Sequence, residues 1–153
     1  MERKTVIEKL KEFLSTAAIP FSVTEQGKIK ATIRAKDVEV DILISTEDDQ
    51  IVFGAALFPA LTGPSDRLSI FYHYLTDLNK DLPGMNFGIV NNAIVIQSST
   101  FIPKENVDTF TVLFQERIFD FKRFFSELYG PIVDCAASLG LRFSDWMKIG
   151  NSS

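Results

Sequence analysis

The longest regular hydrophobic pattern of the chain lies between Lys104 and Leu139. Its apolar side chains follow one another at intervals of three or four residues: Val107, Phe110, Phe114, Ile118, Phe121, Phe125, Leu128 and Ile132. This spacing places them along one face of an α-helix. A helix from Lys104 to Tyr129 would be roughly 40 Å long, at about 1.5 Å per residue. Because such a helix is marginal alone in water, the rest of the chain has to supply an apolar partner surface.

The end of this pattern predicts a break and then a tail. Gly130-Pro131 should kink or interrupt the helix, because proline removes one backbone hydrogen bond and clashes with the preceding turn. We expect residues 1–140 to form one domain and residues 141–153 to form a tail that is partly docked or frayed. Phe143 and Trp146 are the side chains of this tail that could anchor it.

The N-terminal part of the chain changes from helical to strand periodicity. Residues 6–17 have the spacing of an amphipathic helix, which Ile19-Pro20 should end because the residue before proline leaves the α region. Residues 21–58 then alternate with a period of two, in segments separated by short polar turns. The side chains expected to face the core are Ile29, Ala31, Ile33, Val38, Val40, Ile42 and Ile44. Residues 51–58, IVFGAALF, are apolar on both sides, which is typical of a central strand or one covered on both faces.

A second helix and a hairpin follow this meander. Pro64 suits the first helical position, and Pro83-Gly84 should stop the helix. Its inner face would carry Leu68, Phe71, Tyr72, Leu75, Leu78 and Leu82. Asn91-Asn92 should form the turn of the hairpin, because asparagine tolerates a positive φ.

The predicted order is therefore helix, antiparallel meander, helix, hairpin and long C-terminal helix. This is an α+β fold with one antiparallel sheet of five or six strands, helices on one face, and the third helix crossing the sheet. A chain of 153 residues is long enough for one such core.

Composition narrows the functional classes. A hydrophobic content of 46% and a charged content of 24% are typical of a globular protein. The net charge of −4 argues against a general binder of nucleic acid or of anionic membranes. The N-terminus is amphipathic rather than continuously apolar, and no apolar run is long enough to span a bilayer, so we expect a cytoplasmic location.

The chain has few residues of the types that usually act in catalysis or in metal binding. His73, the only histidine, lies off the inner face of its helix, and no nucleophile signature accompanies it. Cys135, the only cysteine, falls among small residues, which favours a buried thiol over a nucleophile. The acidic turn 47–49 and Asp41, on the predicted strand before it, are candidate oxygen ligands. Their spacing is not that of a calcium-binding loop. We therefore expect no enzyme activity, no bound metal and no cofactor.

Two apolar pairs remain as candidate partner-binding residues. Val112 and Phe119 on the third helix lie about 120–140° away from its inner face, and Ile70 and Tyr74 on the second helix lie roughly 120–160° away from the centre of its inner face. Either another element covers each pair, or the pair binds a partner or a second copy of the chain. For Val112 and Phe119 we favour slightly a cover by the tail, because exposed apolar side chains lower solubility.

Four segments and the order of elements resemble a known fold. The segments are YLTDLNK from Tyr74 to Lys80, Leu82-Pro83-Gly84, the strand from Met85 to Ile89, and Phe101-Ile102-Pro103. With the element order, they resemble the type III secretion chaperone-like fold and its relative, the YbjN-like family, which is named for bacterial sensory-transduction regulation. The long Phe-rich third helix and the tail depart from that pattern.

The resemblance implies a small, acidic, non-enzymatic domain that is often dimeric. Secretion chaperones of this fold hold an extended segment of a client protein and tend to pair through the second helix and the strand after it. The YbjN-like branch implies no biochemical activity.

The leading hypothesis is accordingly a chaperone-like or regulatory protein-binding module, expected to be a homodimer that binds an extended protein segment. The alternative is a small-molecule-binding regulatory domain, whose ligand would enter a Phe-lined pocket between the third helix and the sheet. A hydrolase or transferase is disfavoured, because no set of catalytic residues assembles.

Overall fold

A computed structural model gives the fold of the chain and describes residues 3–58, 61–90, 93–102, 107–142 and 148–149. In chain order the elements are α1 (Arg3–Thr16), β1 (Phe21–Val23), β2 (Ile29–Ala35), β3 (Val38–Glu47), β4 (Gln50–Phe58), α2 (Ser65–Asn79), β5 (Asn86–Val90), β6 (Ala93–Phe101), α3 (Val107–Glu127), α4 (Tyr129–Ser138) and β7 (Lys148–Ile149). The predicted α+β order is confirmed. The Asn91-Asn92 turn, Phe143 and Trp146 lie outside the described residues.

The strands form one antiparallel sheet. Their order is β1-β2-β3-β4-β6-β5, and β7 pairs with β3 outside this path. In the hairpin that follows α2, the second strand, β6, pairs with β4, and the first strand, β5, lies at the edge of the sheet. The predicted central position of β4 is therefore confirmed, whereas the pairing of the tail with the meander was not predicted.

One face of the sheet carries the core. Side chains alternate between buried and exposed along β2, with Ile29, Ala31 and Ile33 at most 2% exposed. On β4, Ile51 and Phe53 face the same interior, while the opposite face of the strand is half-buried. The alternation expected for the meander thus buries one face against the helices, as a one-sided antiparallel sheet requires. Val38, at the start of β3, is only half-buried.

Helix α3 crosses the sheet with its phenylalanine face inward. Phe114 packs against Phe53 of β4, with ring centroids 6.2 Å apart, and Phe124 packs against Phe87 of β5 at 5.8 Å. Phe13 of α1 contacts Phe114 at 6.0 Å, so α1 lies beside α3 on the same face. The other buried members of the predicted stripe are Phe110, Ile118, Phe121, Phe125 and Ile132.

Two helix ends differ from the sequence-based prediction. Helix α1 ends at Thr16 rather than at Ile19-Pro20, because Ala18 takes a positive φ of 56°. The Ile19 N–H donates to the Leu14 carbonyl at 2.9 Å, which closes the helix before the proline is reached.

The long helix also divides earlier than predicted. Helix α3 ends at Glu127 and α4 begins at Tyr129, so Gly130-Pro131 lies in the first turn of α4. A proline in a first turn loses no hydrogen bond, because the N–H groups there have no partner within the helix. The chain therefore breaks before the proline and not at it.

Candidate protein-binding surfaces

The outer side of α3 is an exposed apolar surface. Val112 is 50% exposed and Phe119 is 63% exposed, while Phe114 and Ile118 on the inner side are buried. Phe119 lies in a shallow cleft whose other walls include Lys122 and the ion pair of Arg123 with Glu127. An apolar centre with a charged rim is the arrangement found at many protein–protein contacts. We refer to Val112 and Phe119 as the α3 surface.

The part of the tail that the structure describes lies elsewhere, and the expected anchors Phe143 and Trp146 lie outside the described residues, so their docking on this surface stays a prediction. Lys148 and Ile149 pair with Glu39 and Val38 of β3, which belongs to the sheet on the other side of α3. A strand that completes a sheet edge satisfies backbone hydrogen bonds, whereas a cover on a helix would not. In the described ranges, no element covers Val112 and Phe119.

On α2 the structure separates the two residues that were predicted as a pair. Ile70 is 52% exposed, whereas Tyr74 is half-buried with its ring 6.2 Å from that of Phe71. Burial raises the pKa of the Tyr74 hydroxyl above its ordinary value, and the nearby Cys135 of α4 adds to the increase. Tyr74 is thus mainly a packing residue, because its ring lies against Phe71 and Cys135 of α4 is close to it.

Tyr72 takes the exposed position instead. It was predicted on the inner face of the helix but is 37% exposed. Together with Phe87 and Ile89 of β5 it lines a groove of about 120 Å³. Ile89 is 63% exposed, and Val90 beside it is also exposed. We refer to Tyr72 and Ile89 as the α2–β5 surface, because both line this groove; Ile70, two residues before Tyr72, lies on another side of α2.

Sequence reasoning missed Ile89 for a definable reason. Ile89 lies on the same side of its strand as the half-buried Phe87, so alternation predicts that it faces the core. Strand β5 is the sheet edge in the strand order, and its C-terminal end is not covered by a helix in the described ranges. Which strand becomes the edge cannot be seen in local periodicity.

The remaining titratable groups do not form a catalytic arrangement among the described residues. His73 is exposed, and burial raises the pKa of the half-buried Cys135 thiol, the opposite of the shift that activates a nucleophile. Asp41 pairs with Lys30 at 3.4 Å and accepts a hydrogen bond from Thr32 at 2.8 Å. In the described part of the chain, no three His, Cys, Asp or Glu side chains are grouped so that they could hold a metal ion.

The space where a Phe-lined pocket was predicted, between α3 and the sheet, is packed with side chains of the described residues. Phenylalanine rings fill that space, with centroid separations from 4.2 Å for Phe110 and Phe114 to 6.2 Å for Phe53 and Phe114. A groove of about 470 Å³ lies instead between the end of α2 and α3. Its walls mix apolar residues such as Leu82 with charged ones such as Asp120. Within the residues that the structure covers, no helix combines the length and apolarity needed to cross a membrane.

Comparisons with known proteins place this geometry in a fold class. No family model matches the chain, and no curated protein matches it. Among solved structures, YbjN from E. coli, described as a candidate transcription regulator, matches with a TM-score of 0.55 and 16% identity over 88% of this chain and 93% of YbjN. The ExsC–ExsE complex contains a chain that matches with a TM-score of 0.50 and 17% identity, over 84% of this chain and 97% of that one. The protein thus has the YbjN-like, type III secretion chaperone-like fold.

Proposed function

We propose that the protein is a non-enzymatic, chaperone-like module that binds an extended segment of another protein and acts as a homodimer. The observation that carries this proposal is the pair of exposed apolar surfaces on a folded domain whose core is otherwise closed. Contiguous exposed apolar residues rimmed by polar groups mark interaction sites in soluble proteins. The fold adds support, because a neighbour of the same fold was solved as a complex, that of ExsC with ExsE.

The two surfaces suit two different partners. The α2–β5 surface combines exposed residues of α2 and of β5, the last strand in the order of the sheet, and such a composite surface suits contact with a second copy. The α3 surface is an isolated ridge with a charged rim, which suits an apolar anchor residue in a client segment. We assign Tyr72 and Ile89 to self-association, together with Ile70 as the other exposed apolar residue of α2, and we assign Val112 and Phe119 to the client. Tyr74 packs against Phe71.

The remaining features of the proposal concern partners and location. The net charge of −4 favours a basic or neutral client over nucleic acid or an anionic membrane. We propose a cytoplasmic location, no cofactor, and a single domain over residues 1–140 with residues 141–153 as a separate tail.

Self-association is tested by light scattering over a range of protein concentrations. We expect a dimer at micromolar concentration, and we expect Ile70→Asp to weaken it because an unpaired carboxylate would be buried. Thr109→Asp, which adds the same charge at an exposed site on α3, is the matched control and should leave the dimer intact. A mass equal to one chain at high concentration would rule out the homodimer.

Client binding is tested by panning a library of random peptides against the wild-type protein and Phe119→Ser. We expect the wild type to enrich segments with apolar anchor residues, and the variant to lose them while retaining its fold. Equal enrichment by both proteins would remove the α3 surface from the proposal. A native mass spectrum showing one small molecule bound per chain would favour the regulatory, ligand-binding alternative, with the groove between α2 and α3 as its site.

A further inference from the structure

The exposed α3 surface adjoins the groove between the end of α2 and α3. The cleft around Phe119 and the groove of about 470 Å³ share Arg123 and Glu127 among their lining residues. These two side chains form an exposed ion pair of 3.3 Å, which therefore lies at the boundary between the cleft and the groove. Arg123 and Phe124 lie about 40° and about 140° around the helix axis from Phe119, so the two depressions follow one another around α3.

The floor of the groove is apolar. Its residues come from α2, from the turn before β5 and from α3: Leu78, Leu82, Met85, Phe124 and Leu128. Met85 and Phe124 are buried, while the three leucines are half-buried and still present part of their surface. A partner that enters the groove would therefore bury hydrocarbon against hydrocarbon.

The rim of the groove is acidic. Among the described lining residues, the charged groups are the carboxylates of Asp81, Asp120 and Glu127 and the guanidinium of Arg123. Asp120 accepts a hydrogen bond of 3.0 Å from Arg117, whose side chain is only 19% exposed, so this carboxylate is held in place. Glu127 pairs with Arg123 at the surface, where an ion pair contributes little and can exchange its partners.

Asp81 is a carboxylate that no described residue neutralises. It is exposed just beyond the end of α2, and within the described ranges its side chain has neither an ion pair nor a hydrogen bond. The neighbouring Lys80 pairs instead with Asp77, at 3.8 Å. A carboxylate at this end of a helix is unfavourable, because the last carbonyl groups carry a partial negative charge. A cation bound in the groove would offset that repulsion.

We propose that the α3 surface and this groove form one continuous binding track for a client segment, and that the groove takes an arginine or lysine side chain of that segment. The inference rests on the proposed function and adds a second position at which the client is recognised. An apolar client residue contacts Phe119, while the aliphatic stem of the basic residue lies beside Leu82 and its charged end reaches Asp81. Arginine and lysine combine such a stem with a charged end, which matches an apolar floor with an acidic rim.

The track also sets the spacing of the two client residues. The cleft and the groove lie on the outer and lateral sides of one helix, whose diameter with side chains is roughly 10 Å. An extended chain advances about 3.3 Å per residue, so the apolar and the basic residue are about three positions apart. A fixed spacing distinguishes one continuous track from two unrelated contacts.

The first test is to pan a library of random peptides against the full-length wild type, Phe119→Ser and Asp81→Lys. We expect the wild type to enrich peptides with an apolar residue and, about three positions away, an arginine or lysine. Asp81→Lys should retain the apolar anchor and lose the preference for the basic residue, because like charges repel. Glu25→Lys makes the same change of charge at an exposed turn between β1 and β2 and, as the matched control, should select like the wild type.

The second test measures the coupling between the two charges with one enriched, fluorescently labelled peptide and anisotropy. Replacing its basic residue by norleucine keeps a hydrocarbon stem and removes the charge, and should weaken binding to the wild type about fivefold, the upper end for an exposed charge pair. The same replacement should change the affinity for Asp81→Asn by less than about twofold, since the partner of the charge has gone. Equal losses for the two proteins would remove Asp81 from the track.

The outcomes separate this inference from the proposed function. Apolar anchors that are lost with Phe119→Ser but carry no basic residue at a fixed spacing would overturn the track and leave the proposed function standing. A basic preference that persists in Asp81→Lys would overturn its assignment to this groove. No enrichment by the wild type would overturn both proposals. A small molecule seen by native mass spectrometry on the wild type and absent from Asp81→Lys would assign the groove to the ligand-binding alternative and overturn this inference.

Discussion

Helices α2 and α3 each carry an aliphatic and an aromatic residue away from their inner faces, but the structure treats the two pairs differently. Val112 and Phe119 of α3 are both exposed, whereas on α2 only Ile70 is exposed and Tyr74 is half-buried. The angles around the helix axis were similar, so the difference lies in the neighbours. Tyr74 lies against Phe71 and near Cys135 of α4, whereas in the described ranges no element covers the outer side of α3.

This comparison shows that distance from the inner face does not by itself identify a binding residue. A helix in contact with a sheet and a second helix buries two sides, and a residue on the second side serves packing. The α3 surface is therefore the clearer candidate for a partner. On α2, Tyr72 rather than Tyr74 is the exposed tyrosine, and it lies beside Phe87 and Ile89 of the edge strand β5.

The largest expected effect comes from the inner side of α3. Phe114→Ala should lower the free energy of unfolding by about 3–5 kcal/mol, because it leaves a cavity among Phe13, Phe53 and Phe110. Phe119→Ala, five residues further along the same helix, should change it far less. Urea unfolding of both variants measures the contrast, and similar midpoints would mean that the two sides of α3 are not distinct.

The next effect separates the two α2 residues. Tyr74→Ala should cost about 1–3 kcal/mol, since the half-buried ring loses its contact with Phe71. Ile70→Ala, measured at concentrations where the protein is monomeric, should stay within about 0.5 kcal/mol of the wild type. If Ile70→Ala were the more costly variant, the assignment of packing to Tyr74 and of surface to Ile70 would be reversed.

A smaller effect should appear at alkaline pH. The raised pKa of Tyr74 means that the folded state holds the phenolic proton more tightly than the unfolded state does. Its contribution to stability is therefore complete below the ordinary pKa of 10.0 and is lost as the pH rises through the raised value. Between about pH 9 and pH 11, the urea midpoint of Tyr74→Phe should fall less than that of the wild type. Tyr72→Phe is the control and should follow the wild type; equal slopes for all three proteins would argue against a buried Tyr74 hydroxyl.

The smallest change in stability is expected at the α3 surface itself. Phe119→Ser should leave the free energy of unfolding within about 0.5 kcal/mol, as is usual for exposed positions. The same variant should weaken the capture of library peptides, so that stability and binding move independently. A large loss of stability would show that Phe119 is covered by part of the chain, as the sequence-based expectation of a docked tail proposed.

Much of the fold could be predicted from local pattern. The predicted inward residues of α3 from Phe110 to Phe125 are buried, and so are Ile29, Ala31 and Ile33; Phe124, which is also buried, was not predicted. These predictions succeed because the periods of helices and strands are set by backbone geometry and do not depend on distant contacts. The break before Pro131 was misplaced by a few residues, because a proline can be accommodated in the first turn of a new helix.

The candidate surfaces were predicted only in part. Val112, Phe119 and Ile70 lie where the helix angle placed them, whereas Tyr72, Ile89 and the edge of β3 were missed. Each missed feature depends on a part of the chain that is distant in sequence: Tyr72 and Ile89 depend on the position of β5 at the sheet edge, and the β3 edge depends on its pairing with the tail.

The sequence by itself determined which residues are apolar at which period, and hence the order of helices and strands and the composition of the core. Only the tertiary structure decided which of the off-face residues remain exposed, which strands form edges, and where the tail pairs. The physical reason is that hydrophobic periodicity reports the side of an element that must be buried, while exposure and strand pairing depend on which other elements lie alongside it. In this protein the arrangement of neighbouring elements leaves Phe119 exposed and Tyr74 half-buried. It also places β7 beside the half of β3 that does not pair with β4.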